Sequence, residues 1–129
     1  MTKSKQSNPN TEFQNVESKL ETYTPVRMPS SVKIVGKAFK IKYYDPSQGF
    51  QDHGQMNEST RTILIAAGQL PIDEADTVLH EVLHGIDCVF DLSLTEHQVR
   101  MVATALIGMF QDNPHFAEYL TQPLEPVPE

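Results

Sequence analysis

The stretch TVLHEVLHGI, residues 77–86, decides the fold, because its apolar residues recur with the period of an α-helix. It belongs to a longer pattern that predicts a helix from Ile72 or Asp73 to about Phe90. Carboxylates in the first turn favour this start, where the helix dipole is positive. The apolar stripe of the predicted helix consists of Ala75, Val78, Leu79, Val82, Leu83, Ile86 and Val89 or Phe90.

Within this helix, two histidines enclose a glutamate in the pattern His-Glu-x-x-His. His80 and His84 are four residues apart, so a helix places both imidazoles on one face, one turn from each other. Zinc suits imidazole nitrogen and keeps a fourth position for water at catalytic sites. Glu81 lies on the cleft side, where it can accept a proton from that water. The pattern predicts a Zn²⁺ site with Glu81 as the catalytic base.

An amphipathic helix with two partly exposed histidines is the alternative interpretation. It accounts for the apolar stripe, but it leaves two polar groups together on one face of a largely apolar segment. Unpaired polar groups are costly there, so the pairing of His80 with His84 favours the metal interpretation.

A third protein ligand is needed, and Glu96 at the start of a second predicted helix is the first choice. Its competing role is a capping box, in which Glu96 reaches back to the backbone of Ser93. His97 and Asp91 are the other candidates. The third-histidine pattern of the metzincins is excluded, because Phe90 stands where it requires histidine.

Other polar residues have weaker claims to the site. Asp87 is a candidate to orient an imidazole through its second N–H group. Cys88 is either a buried structural residue or a thiolate ligand. The donor that would stabilise the oxyanion is left open among Tyr43, Tyr44, His53, His97, His115 and Tyr119.

Strands are predicted before the first helix. The ordered part is expected to begin near Ser31, with residues 32–35 and 39–44 forming one bent strand or a hairpin around Gly36 or Lys37. Residues 46–59 are expected to form a loop. Arg61 to Ala66 is predicted to be a short strand, along whose edge an extended peptide substrate could lie.

A second helix is predicted from Thr95 to Gln111, ended by Asn113-Pro114, with one further turn at His115 to Leu120. Residues 1–28 are expected to be a flexible arm, with a short helix at Phe13 to Leu20. Residues 29–120 form the predicted domain, and residues 121–129 a proline-rich extended tail. The order of elements predicts an α+β domain with a small sheet against two packed helices.

Composition excludes several classes of function. The chain of 129 residues has a formal net charge of −7, which argues against binding to nucleic acid or to anionic lipid. The longest apolar run is too short to cross a membrane, and the first ten residues hold no apolar stretch of a signal peptide. A single cysteine allows no internal disulfide, which favours the cytoplasm.

The segment from Ile63 through Pro114 resembles the small single-domain zinc metallopeptidases of phages and prophages, which are related to the gluzincin branch of the zincins. The motifs that carry the resemblance are RTILI at 61–65, TVLHEVLHGI at 77–86, LTEHQV at 94–99 and FQDNP at 110–114. It implies a minimal zincin fold, with a small antiparallel or mixed sheet packed on two metal-binding helices. It also implies zinc held by His80, His84 and Glu96, and the cytoplasm of a bacterial host if the protein is phage-encoded.

The expected function is therefore a zinc-dependent endopeptidase that acts on a peptide or protein substrate. The alternative is a non-catalytic regulatory or assembly module that uses zinc to staple a small core, which would require four protein ligands. A hydrolase of non-protein amides is a further alternative, because the same groups attack both kinds of bond.

Overall fold

A computed structural model describes residues 26–48 and 52–124 as an α+β domain. Four strands form a mixed sheet, and three helices follow in the chain. The strands are β1 (Ser31–Ile34), β2 (Lys37–Tyr44), β3 (Gly54–Asn57) and β4 (Thr62–Ala66), and the helices are α1 (Pro71–Phe90), α2 (Glu96–Asp112) and α3 (Pro114–Thr121). The predicted helix at 13–20, most of the predicted N-terminal arm and the last five residues of the tail lie outside the described residues. Within the described ranges, no helix is long and apolar enough to cross a membrane.

The first two strands form a hairpin, which decides between the two predicted alternatives. Ile34 pairs with Lys37, so Val35 and Gly36 make a two-residue turn. Both turn residues have positive φ, 51° and 80°, as a type I′ turn requires. Lys40 is exposed on β2, between the buried residues Phe39 and Ile41.

The sheet order β1-β2-β4-β3 corrects two predictions. β3 lies inside the segment that was predicted to be only a loop, and short polar strands of this kind carry little periodic signal. Because β3 pairs with β4 on one side and β2 pairs with it on the other, β4 is an interior strand. The prediction that a substrate adds beside Arg61 to Ala66 is therefore wrong, since the edge nearest to the helices belongs to β3.

The core lies between the sheet and α1. Its buried residues alternate along the strands, and they are Ile34, Phe39, Ile41, Ile63 and Ile65. Val78, Val82, Ile86 and Val89 of α1 pack against them. The helix comes so close that a Cβ added at Gly85 would lie 2.7 Å from Ile34 Cδ1. The missing side chain at Gly85 therefore allows a short distance between α1 and the sheet.

The second helix packs against α1 rather than against the sheet, and its buried residues are Val99 and Ala103. α1 ends at Asp91, which has a left-handed conformation with φ 54° and donates its N–H to the Asp87 carbonyl. α2 begins after Thr95, which forms a capping box with Gln98. The predicted bounds of both helices are confirmed to within two residues. The predicted further turn after Pro114 is a helix of eight residues.

Candidate metal centre

α1 and α2 bring three side chains with metal-binding atoms together. His80, His84 and Glu96 each offer one such atom, and these atoms all lie within 4.8 Å of one another. His80 Nε2 is 2.6 Å from Glu96 Oε1, and His84 Nε2 is 3.3 Å from Glu96 Oε2. The two Nε2 atoms are 3.2 Å apart. All three side chains thus point to one location between the helices.

These separations suit a tetrahedral ion. With metal–ligand distances of about 2.0–2.1 Å, two ligand atoms of a tetrahedral zinc site are about 3.3 Å apart. The His84–His80 and His84–Glu96 distances agree with this value, while the His80–Glu96 contact is that of a charge-assisted hydrogen bond. Two imidazoles and one carboxylate are also the donor set of catalytic zinc sites that keep an open position.

Glu96 reaches this location because the helix cap leaves its side chain unused. The Thr95 hydroxyl accepts a hydrogen bond from the Gln98 N–H, and the Gln98 side chain accepts one from the Thr95 N–H. The predicted capping box between Ser93 and Glu96 is therefore wrong by two residues. Ser93 has a left-handed conformation with φ 61°, which does not fit a helix N-cap.

Glu81 is the one buried charged residue among the described residues, and it lines the same cleft. Its side chain lies beneath β3, where a Cβ added at Gly54 would be 3.0 Å from Glu81 Cγ. Burial, together with the negative charges of Glu96 and Asp52, raises the pKa of Glu81 to about 7. Such a pKa lies near neutral pH, which suits a general base.

The cleft around these groups is open to solvent on one side and has a volume of about 660 Å³. The strand β3 forms one wall with Gly54, Gln55 and Met56, and the helices form the other. Its lining residues are Asp52, His53, Gly54, Gln55, Met56, Asp76, Thr77, His80, Glu81, His84, Glu96 and Arg100.

Several predicted candidates lie elsewhere. The Asp87 carboxylate accepts a hydrogen bond from the Leu94 N–H, so it holds the turn between the helices. His97 and Asp91 are exposed and outside the three-residue group. Cys88 is half-buried outside the group, and a hydrogen bond to Glu58 raises its thiol pKa.

Of the six candidates for oxyanion stabilisation, His53 alone lines the cleft. Tyr43 donates its hydroxyl to Glu74, and Tyr44 donates to the Asp52 carbonyl. His115 contacts Glu118 on the exposed surface of α3.

Among the lining residues that sequence reasoning missed are Gly54, Asp76 and Arg100. The signal for Arg100 was available, since it follows Glu96 by four residues and therefore shares its helix face. Asp76 likewise precedes His80 by four residues. Gly54 gave no such signal, because β3 itself was not predicted.

Comparisons of the chain with protein-family models, with curated proteins and with solved structures find no match.

Proposed function

We propose that the protein is a zinc-dependent hydrolase that cleaves peptide bonds, built on a minimal zincin-like fold. The observation that supports this most is the convergence of His80, His84 and Glu96 beside the buried Glu81. A structural ion pair would explain the contact between Glu96 and His80, but it would not require a second imidazole and a buried carboxylate at the same place.

His80, His84 and Glu96 would hold the ion in this proposal. When bound, zinc polarises a carbonyl group and makes water more acidic. Glu81 then accepts a proton from the attacking water and passes it to the leaving amine. The wall formed by Gly54 excludes solvent from one side of the Glu81 carboxylate, which favours proton transfer over hydration.

The substrate would lie along β3. A peptide in extended conformation forms backbone hydrogen bonds with the edge of a sheet, and among the described residues β3 is the edge strand at the cleft. β3 therefore takes the place of β4 as the proposed substrate-binding strand, because β4 is paired with a neighbouring strand on both sides. It favours peptides over small non-protein amides, because a strand edge recognises a run of amide groups.

A zinc-stapled module without activity is the second candidate. Structural zinc sites have four protein ligands, whereas the group among the described residues has three members. Cys88 and Asp91, which would complete a closed site, are not part of it. The open position therefore favours catalysis.

The test combines metal binding with cleavage of a fluorescently labelled unfolded protein such as casein. Glu81→Gln is expected to bind zinc as the unmodified chain does and to lose cleavage by about a hundredfold or more. Glu118→Gln, on the exposed surface of α3, is the matched control and should leave both quantities unchanged. Equal cleavage by the unmodified chain and by Glu81→Gln would refute the assignment of the base, and the absence of zinc binding would refute the proposal as a whole.

A further inference from the structure

The cleft contains one positively charged group that the proposed reaction does not use. Among the described residues that line it, Arg100 is the only arginine or lysine, and it stands among four carboxylates, those of Asp52, Asp76, Glu81 and Glu96. Arg100 is exposed at the cleft, so water can solvate its guanidinium in the free protein, and an anion that enters the cleft can replace that water.

The antiparallel packing of α1 and α2 places Arg100 beside the metal centre. Glu96 contacts His84, and two turns later along α2 the Thr104 hydroxyl donates to Asp76 Oδ1 at 3.4 Å. Arg100 lies midway between these contacts, on the turn of α2 that faces the middle of the cleft. Side chains on a helix lean toward its N-terminus, which directs Arg100 toward the Glu96 end.

Arg100 does not act as a partner of the neighbouring carboxylates. It forms no ion pair with any carboxylate of the described residues, where the ion pairs are those of His80, His84 and His115. Glu96 is occupied by the two imidazoles, and Asp76 accepts its hydrogen bond from Thr104. The planar guanidinium therefore keeps its five donors for a ligand, and their fork matches a carboxylate group.

We propose that Arg100 binds a carboxylate of the substrate next to the cleaved bond, an inference that rests on the proposed peptidase function. The carboxylate belongs either to the C-terminus of a peptide or to an acidic side chain, since both offer the same pair of oxygens. The other lining charges would repel such a group, so Arg100 is the residue that makes a carboxylate acceptable. The site then selects peptides by charge as well as by the backbone pairing with β3.

The experiment measures binding in the zinc-loaded full chain carrying Glu81→Gln, so that no probe is cleaved. Three probes are compared by nuclear magnetic resonance titration: N-acetyl-alanyl-alanine with a free carboxylate, its C-terminal carboxamide, and N-acetyl-aspartyl-alaninamide. We expect at least one carboxylate probe to bind about tenfold more tightly than the carboxamide, as charge-assisted hydrogen bonds predict. Preference for the first probe alone identifies the C-terminus, and preference for both carboxylates includes acidic side chains.

Substitutions in the same chain assign the preference to Arg100. Arg100→Gln is expected to remove it, and Arg100→Lys to retain part of it, because lysine keeps the charge without the fork. Arg61→Gln removes the same charge outside the cleft and is the matched control.

The inference is overturned if the carboxylate probes bind no better than the carboxamide or if no probe binds. It is also overturned if the preference persists in Arg100→Gln, since the metal would then bind the carboxylate. Zinc titration of each variant separates the cases: a chain that fails to bind zinc refutes the proposed function, whereas a zinc-binding chain without an Arg100-dependent preference refutes only this inference.

Discussion

On one side, α1 lays Val82 and Gly85 on the apolar face of the sheet; on the other, it turns His80 and His84 toward α2. The first side is built from groups that gain free energy by leaving water. The second gathers imidazoles and carboxylates that lose hydration, and Glu81 is buried at 6% exposure among them. The comparison teaches that one face of the helix supplies the burial that stabilises the fold, while the other gathers the candidate metal ligands.

If the two faces are independent in this way, substitutions in the core should change folding without changing metal affinity. Substitutions in the cluster should change metal affinity, and they should change stability only through bound zinc or through the buried charge of Glu81. Four measurements test this separation.

The largest effect is expected in the core. Ile65→Ala removes a fully buried side chain, and it should lower the free energy of unfolding by about 3 kcal/mol through lost burial and the cavity left behind. Denaturant unfolding measures this, and zinc affinity should stay unchanged. Leu120→Ala, at a half-exposed position of α3, is the control and should cost less than about 0.5 kcal/mol. A parallel loss of zinc affinity in Ile65→Ala would show that the two faces are coupled.

Removal of zinc should have the next largest effect. At a free zinc concentration one hundred times Kd, the metal is expected to stabilise the fold by about 2.7 kcal/mol, and a chelator should abolish this gain. His84→Ala should lose the zinc-dependent increase in Tm, because one of three ligands is gone. His115→Ala removes an exposed histidine and should keep it. An undiminished increase in His84→Ala would contradict the ligand set.

In the metal-free protein, Glu81→Gln should increase stability by about 2 kcal/mol above pH 7, because an amide is cheaper to bury than a carboxylate. The carboxyl pKa rises from 4.5 to about 7 on folding, so the folded state holds its proton more tightly. The cost of Glu81 is therefore absent below pH 4.5, grows as the pH rises, and is complete above pH 7. Unfolding at pH 4 and pH 8 measures it, and an equal difference between the two chains at both pH values would refute the burial argument.

The smallest effect is expected at the helix cap. Thr95→Ala should cost about 1 kcal/mol, because its hydroxyl accepts the Gln98 N–H. Zinc affinity should fall slightly too, since Glu96 is the next residue. Ser93→Ala should change the free energy of unfolding by less than about 0.5 kcal/mol, because the predicted cap at Ser93 does not form. Reversed magnitudes would instead support the competing capping box between Ser93 and Glu96.

The helices and the candidate metal ligands on α1 were predictable because both depend on local spacing. A period of 3.6 residues places His80 and His84 on the same helix face, independently of the tertiary structure. Glu96 was predictable as a candidate only, since its role depended on which of two neighbouring residues caps α2. That choice follows from the backbone conformation of Ser93, which the sequence does not reveal.

The sheet order was not predictable for a different reason. Strand pairing depends on contacts between distant residues, and β4 carries the same apolar pattern whether it lies at an edge or inside. The polar strand β3 was hidden among turn-forming residues. The wall beside Glu81, formed by Gly54, was therefore missed together with the strand that carries it.

The order of the elements along the chain has a consequence for how the cleft assembles. Every described lining residue falls between Asp52 and Arg100, in the β3–β4 hairpin with the two residues before it and in the α1–α2 hairpin. Each hairpin closes a short loop and loses little chain entropy. The parallel ladder between β2 and β4 must instead close around the whole of β3, as the pairing of Lys40 with Thr62 requires. The cleft needs contacts at a similar sequence separation, because Gly54 of β3 lies against Glu81 of α1. Neither hairpin alone therefore forms the cleft, which is complete only when β3 and α1 dock against each other.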